Sequence, residues 1–210
     1  MTRKQGKVKK KIRLAKTLKE LIICGSSNHK FLDKHKDFSV PFPPSKIINR
    51  SQGGANVLLE TQYSYSHQFF GKGTKIEPLA LYVLNLSFNE LLRTASQLEV
   101  CEKTYTFRTI QTLELLFSHK LRKNQLLVGL PLPRLSVSLF QRQLNIIQEL
   151  KIALSKKGIK SFNIFVDIPE EFLSNARYFG KDRYHFSHQI NRISAISIAK
   201  NISLFLKGAI

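Results

Sequence analysis

Two short elements at opposite ends of the chain hold the residue types of a hydrolytic centre. Gly25-Ser26-Ser27-Asn28 follows the apolar run Leu21-Ile22-Ile23-Cys24, and Asp182-Arg183-Tyr184-His185 precedes a helical pattern near the C-terminus. A serine at the exit of a buried strand is a nucleophile in need of a base. A histidine with an aspartate three residues before it can supply one. In this reading Ser27 attacks, His185 takes and returns the hydroxyl proton, and Asp182 holds the other ring nitrogen and selects the tautomer. Between the two elements lie Gly53-Gly54, after Ile47-Ile48-Asn49, and Asn89-Glu90, after the run Leu79 to Leu86. Glycine lets backbone N–H groups approach a bound oxygen with no side chain in the way, and Asn89 can donate its carboxamide to the same oxygen. The Ser27 N–H, the Gly54 N–H and the Asn89 amide would then form an oxyanion hole, each donor worth ~3 kcal/mol of barrier.

Taken singly, each part also has an ordinary reading. Asp-x-x-His arises by chance in chains of this length, and Gly-Ser-Ser is a common turn. Gly53-Gly54 reads equally as a loop, and Asn89 as the cap of a helix beginning at Glu90. Weight comes from the joint order and from the elements that must position the parts. Leu21 to Cys24, Lys46 to Asn49, Leu79 to Leu86, Leu126 to Leu130 and Phe162 to Ile168 are short apolar runs of the kind buried on both faces. Helical patterns alternate with them over Ala55 to Phe70, Tyr105 to Leu121, Ser136 to Lys157 and Gln189 to Leu206. In the last, Ile193, Ile196, Ile198, Ile202 and Phe205 fall at helical spacing. This alternation predicts a three-layer α/β/α domain with a five-stranded, mostly parallel, flavodoxin-like sheet. Right-handed crossovers bring Gly25, Asn49 to Gly54 and Ser87 to Glu90 to one edge of it, where such sheets bind ligands. A serine at that strand-to-helix turn would also sit at a helix N-terminus, whose unpaired N–H groups favour negative charge.

Those four blocks resemble the SGNH (GDSL-type) hydrolase superfamily, whose pattern reads Gly-Asp-Ser, a glycine, Gly-x-Asn-Asp and Asp-x-x-His. Ser27, Gly54, Asn89 and His185 fall on the name-giving positions, with Asp182 as the acid. The aspartate of the first block is Ser26 here, and the third block reads Ser87-Phe88-Asn89-Glu90, so its glycine and aspartate both differ. The resemblance implies a carboxylic-ester hydrolase acting on a small ester or an acylated substrate, through an acyl-enzyme intermediate and without a cofactor. Two branches bear on the charge of this chain. The OSK domain of the germ-plasm protein Oskar keeps the fold, lacks the catalytic residues and binds RNA. The esterase domains of some animal retrotransposons keep the triad in a nucleic-acid setting, and the segment Tyr178 to Ser187 looks more like theirs.

Composition sets the remaining bounds. A chain of 210 residues with 42% hydrophobic content can bury one core, and the expectation is one domain over residues 20–210 behind a basic, flexible extension over 1–19. Net charge is +20, from 34 Lys and Arg against 14 Asp and Glu, and such an excess attracts polyanions. RNA binding is therefore the alternative to hydrolysis, with Lys9, Lys10, Lys11, Arg13, Arg122, Lys123, Lys156 and Lys157 as candidate contacts. Two cysteines, Cys24 in a strand and Cys101 in a connecting segment, make no disulfide framework. With no run of roughly 20 apolar residues and no signal-type apolar segment, the expected location is intracellular, cytoplasmic or nuclear. His29, His35, His67, His119 and His188 lack partners at ligand spacing, so no metal site is expected. No phosphate-binding glycine loop occurs either. Tyr63, Tyr65, Phe69 and Phe70, with His67, read either as a stacking surface for bases or, preferentially, as the buried face of a helix.

Overall fold

The computed structural model describes residues 18–57, 64–70, 76–88, 95–133, 137–169, 171–172, 175 and 185–210, with backbone alone at 95–103 and 137–139. Five strands form one sheet: β1 (Glu20–Gly25), β2 (Ile47–Asn49), β3 (Ala80–Asn85), β4 (Leu126–Gly129) and β5 (Lys160–Phe162). Their order is β2-β1-β3-β4-β5 and every pairing is parallel. Among the described residues the α-helices are α1 (Tyr65–Phe70), α2 (Ala95–Ser118), α3 (Val137–Lys156) and α4 (His188–Lys207).

Alternation along the central strands explains the three layers. Ile22, Cys24, Tyr82, Leu84 and Val128 are buried on one face, against Tyr65 and Phe69 of α1, Leu113 and Leu116 of α2, and Leu150 and Leu154 of α3. Leu21, Ile23, Leu81, Val83 and Leu127 point to the other face, against Ile190, Ile198 and Ile202 of α4. Strands covered on both faces must be apolar at every position, and all six residues of β3 are buried. The α4 helix is bounded by local chemistry: the Ser187 hydroxyl accepts from the Ile190 N–H, and Gly208 closes the helix in the left-handed region at φ 71°. Among the described residues no helix is long and apolar enough to cross a membrane.

Several expected boundaries move. The fifth strand ends at Phe162, and Ile164–Asp167 is a 3-10 turn instead of strand, because the Asn163 side chain accepts from the Phe165 N–H and curls the backbone. Val166 is then 75% exposed. Ala55 to Val57 are not helical: Asn56 forms a parallel bridge to Ser64, and the Val57 carbonyl accepts from Thr112 Oγ1. The second long helix starts at Ala95, ten residues before Tyr105, so Cys101 lies within a helix and not in a connection. On α4, Ile196 is 45% exposed, and the buried stripe runs instead through Ile190, Ala195, Ile198, Ala199 and Ile202. Tyr65 and Phe69 are fully buried, which settles them as core and not as a stacking surface; Tyr63 lies outside the described residues.

Burial also determines what Cys24 can do. The thiol is fully buried in β1, and desolvation pushes its pKa far above the ordinary thiol range, the Arg50 charge opposing this only partly. A thiolate is the reactive form. In a Cys101→Ser background, Cys24 is therefore expected to react with an aromatic disulfide reagent only as fast as the protein opens, and at once in denaturant. Rapid modification of the native protein would contradict this. Because the folded-state pKa is raised, the associated stability is complete below the unfolded thiol value and declines as pH rises above it.

Candidate active site

Parallel order β2-β1-β3 places a topological switch at β1, and the ligand crevice of such a sheet lies beyond the carboxyl ends of its strands. Gly25 ends β1 directly beside Asn85, the end of β3. Ser27 opens a three-residue 3-10 turn, Ser27–His29, with Ser26 as its N-cap. A second 3-10 turn follows at Leu32–Lys34. The expected helix after Ser27 is thus absent, and with it any macrodipole: charge at this turn is met by individual N–H groups. The turn folds tightly because His29 packs over Gly25. A Cβ at residue 25 would stand 2.9 Å from the imidazole Nδ1, so only glycine fits. The Ser26 hydroxyl lies 3.5 Å from the same nitrogen.

The second block is carried to this turn by a ladder that outlasts β2. The Arg50 N–H donates to the Ile23 carbonyl (2.7 Å) and the Gln52 N–H to the Gly25 carbonyl (3.0 Å). Gly53 and Gly54 come next, with Gly54 at φ 73°, the left-handed region that glycine takes at no steric cost. Asn49 ties the two blocks together. Its amide donates to the His29 carbonyl (2.9 Å) and to Asp33 Oδ1 (2.6 Å), and its own oxygen accepts from the Ser51 N–H. The third block is fixed from below, where the Tyr105 hydroxyl donates to the Ser87 carbonyl (2.8 Å) and Tyr65 Oη lies 3.0 Å from Ser87 Oγ.

The C-terminal block is tied to the Ser27 turn by a long-range bond. Asn28 Oδ1 accepts from the Phe186 N–H at 3.0 Å, and the Phe186 carbonyl accepts from Asn191 in α4. His185 is exposed, and with Ser27, Asn28 and Gly53 it lines one cavity of about 520 Å³. Three of the four expected blocks therefore meet there. Asn89 and Asp182 lie outside the described residues, as do Lys9, Lys10, Lys11 and Arg13. Arg122 and Lys123 precede β4, and Lys156 and Lys157 precede β5, so these four sit at the opposite edge of the sheet from Ser27. There the Lys123 ammonium donates to the Lys157 carbonyl and Lys157 pairs with Glu114. Among the described residues no group of three or more His, Cys, Asp or Glu is arranged to hold a metal ion.

One positioning residue carries no sequence signal. Gln68 of α1 accepts from the Gly25 N–H (2.7 Å) and donates to the Gly25 carbonyl (3.0 Å), clamping both polar groups of the residue that launches the Ser27 turn. Arg50 holds α1 in turn, donating to the Phe69 carbonyl at 2.6 Å. Removing the Gln68 carboxamide leaves a buried N–H unsatisfied, which typically costs about 1–3 kcal/mol. Gln68→Ala is therefore expected to lower the unfolding free energy from denaturant titration by that amount, whereas a change below ~0.5 kcal/mol would show that the clamp is replaceable.

The sequence matches no protein-family model, and comparison with curated proteins finds no match. Solved structures do match in fold. A GDSL-like lipase from Bacteroides thetaiotaomicron is 15% identical with a TM-score of 0.61, covering 97% of this chain and 98% of that one. A lipase/acylhydrolase from Enterococcus faecalis is 12% identical with a TM-score of 0.58, covering 90% and 96%. An aryl esterase from M. smegmatis is 13% identical with a TM-score of 0.57, covering 87% and 98%. Those likenesses span nearly the whole of each partner, and the sheet is the all-parallel 2-1-3-4-5 arrangement. The chain thus has the fold of the SGNH (GDSL-type) hydrolases.

Proposed function

We propose that the protein is a serine ester hydrolase that uses Ser27 as nucleophile. The observation that carries this reading is the cavity shared by Ser27, Gly53 and His185, residues drawn from two separate strand ends and the approach to α4. In the reaction, His185 takes the Ser27 proton as Oγ attacks the ester carbonyl. The Ser27 and Gly54 N–H groups, with the Asn89 amide, receive the oxyanion. Collapse breaks the ester bond, His185 protonates the departing alcohol, and an acyl-Ser27 ester remains. Water then attacks that ester with His185 as base, and the acid leaves. Asp182 keeps the imidazole in the tautomer that accepts from Ser27.

Support comes from the residue types at each position and from the fold shared with a lipase, an acylhydrolase and an aryl esterase. The basic group at the opposite edge takes no part in this reading. The test is labelling of the full chain by a fluorophosphonate probe, which phosphonylates only an activated serine. Labelling is expected in the wild type and absent in Ser27→Ala and His185→Ala. A folded wild type that does not label would overturn the reading.

A further inference from the structure

The wall of the Ser27 cavity is chemically one-sided. Among the described residues its lining includes His29, Lys30, His35, His185 and His188 but neither Asp nor Glu. Two of its polar atoms are buried and, among the described residues, have no hydrogen-bond partner: His35 Nε2 and Ser194 Oγ. Ser194, on α4, is only 3% exposed. A buried polar atom left unmatched costs free energy that folding has no reason to accept unless a ligand or water completes it.

The tautomer of His35 follows from its own contacts. The Asp37 N–H donates to Nδ1 at 3.3 Å, whereas Asp37 Oδ2 is 3.7 Å away, too far for a hydrogen bond. Nδ1 is thus the acceptor, the ring proton lies on Nε2, and the unmatched atom is a donor. Asp37 is itself matched by Arg192, whose Nε lies 3.0 Å from Oδ2. From α4 the His188 ring stands 5.8 Å from that of His35. Lys30 adds a cation beside the exposed Phe31 ring, 5.7 Å from its centroid. The wall therefore offers one N–H, one hydroxyl and a nearby ammonium. This set fits the two oxygens and single charge of a carboxylate, and it lacks the buried cations that a phosphate dianion would require.

We propose that His35 and Ser194 form a carboxylate subsite, so that the ester hydrolysed at Ser27 carries a free carboxylate on its acyl part. The proposal rests on the hydrolase reading of the same cavity and specifies its substrate class. The test compares the p-nitrophenyl esters of butyrate and of succinate, which match in chain length and differ by the terminal carboxylate. The wild type is expected to favour the hemisuccinate in kcat/KM. His35→Phe and Ser194→Ala are each expected to reduce the succinate-to-butyrate ratio roughly tenfold, the worth of one charge-assisted bond. His35→Gln, which keeps an amide donor where Nε2 stands, is expected to retain most of it. A wild type that prefers butyrate, or a ratio unmoved in both variants, overturns the proposal. Titration of succinate into Ser27→Ala protein, followed by the imidazole Cε1–H resonances, separates the two readings. Shifts at His35 and His188 support the subsite even where turnover fails, and their absence overturns it whatever the esterase result.

Discussion

Ser27→Ala is expected to lower kcat for an activated ester by about 10⁴- to 10⁶-fold, the usual scale for removing the nucleophile of a serine hydrolase. The side chain is only half-buried at a turn, so its loss should change stability by no more than about 0.5 kcal/mol. Both quantities matter, since a fall in rate accompanied by a fall in melting temperature would only report damage. Because members of a triad act as one unit, the double variant with His185→Ala should be scarcely slower than Ser27→Ala alone. Steady-state assays alongside thermal melts decide it: a Ser27→Ala protein within tenfold of wild type would place the nucleophile elsewhere.

The second large effect lies in the core. Tyr82 in the middle of β3 is fully buried and stacks on Phe69 of α1 with ring centroids 5.1 Å apart. Its hydroxyl accepts from the Glu77 N–H at 2.8 Å, and burial holds its pKa above the usual phenol value. Tyr82→Ala removes a full aromatic ring and opens a cavity between the sheet and α1, a change that costs about 3–5 kcal/mol in comparable cores. Domains of this size are stable by only about 5–15 kcal/mol, so the variant should unfold at much lower denaturant concentration. Tyr82→Phe keeps the ring and loses one hydrogen bond, for which about 1 kcal/mol is expected. Equal costs for the two variants would mean that the hydroxyl's bond to the Glu77 N–H, and not the stacking on Phe69, carries the contribution of Tyr82.

The parts of the fold that were legible in the sequence are those where local pattern and tertiary role agree. β1, β3 and β4 are continuous apolar runs, and strands covered on both faces need that composition. The end of β5 was not legible, because Ile164 and Ile168 are buried as a strand would bury them while the chain is curled by the Asn163 side chain. The start of α2 was missed for the opposite reason: Ser96, Gln97, Glu99, Glu102 and Thr104 supply no apolar stripe. Within the site, Ser27, the pair Gly53-Gly54 and His185 stood out because their blocks have a pattern and an order, although Gly54 was the glycine expected there and Gly53 is the one that lines the cavity. Gln68, His35 and Ser194 did not. Gln68 meets Gly25 across 43 residues, and His35 and Ser194 come to one cavity from distant elements, separations that no local spacing encodes. Asn28 was visible as a member of the first block, but its bond to Phe186 was not.

That bond between Asn28 and Phe186 joins positions 158 residues apart, which makes the candidate site a product of timing as well as of shape. At a ribosomal rate of ~5–20 residues per second, the Ser27 turn emerges roughly 8–30 s before the segment bearing His185. Throughout that interval β1 can pair with its neighbours, but His185 is not yet present. If the proposed reaction holds, turnover is expected only once the last helix has docked, and the gain of activity on refolding would report closure of the loop between Asn28 and Phe186.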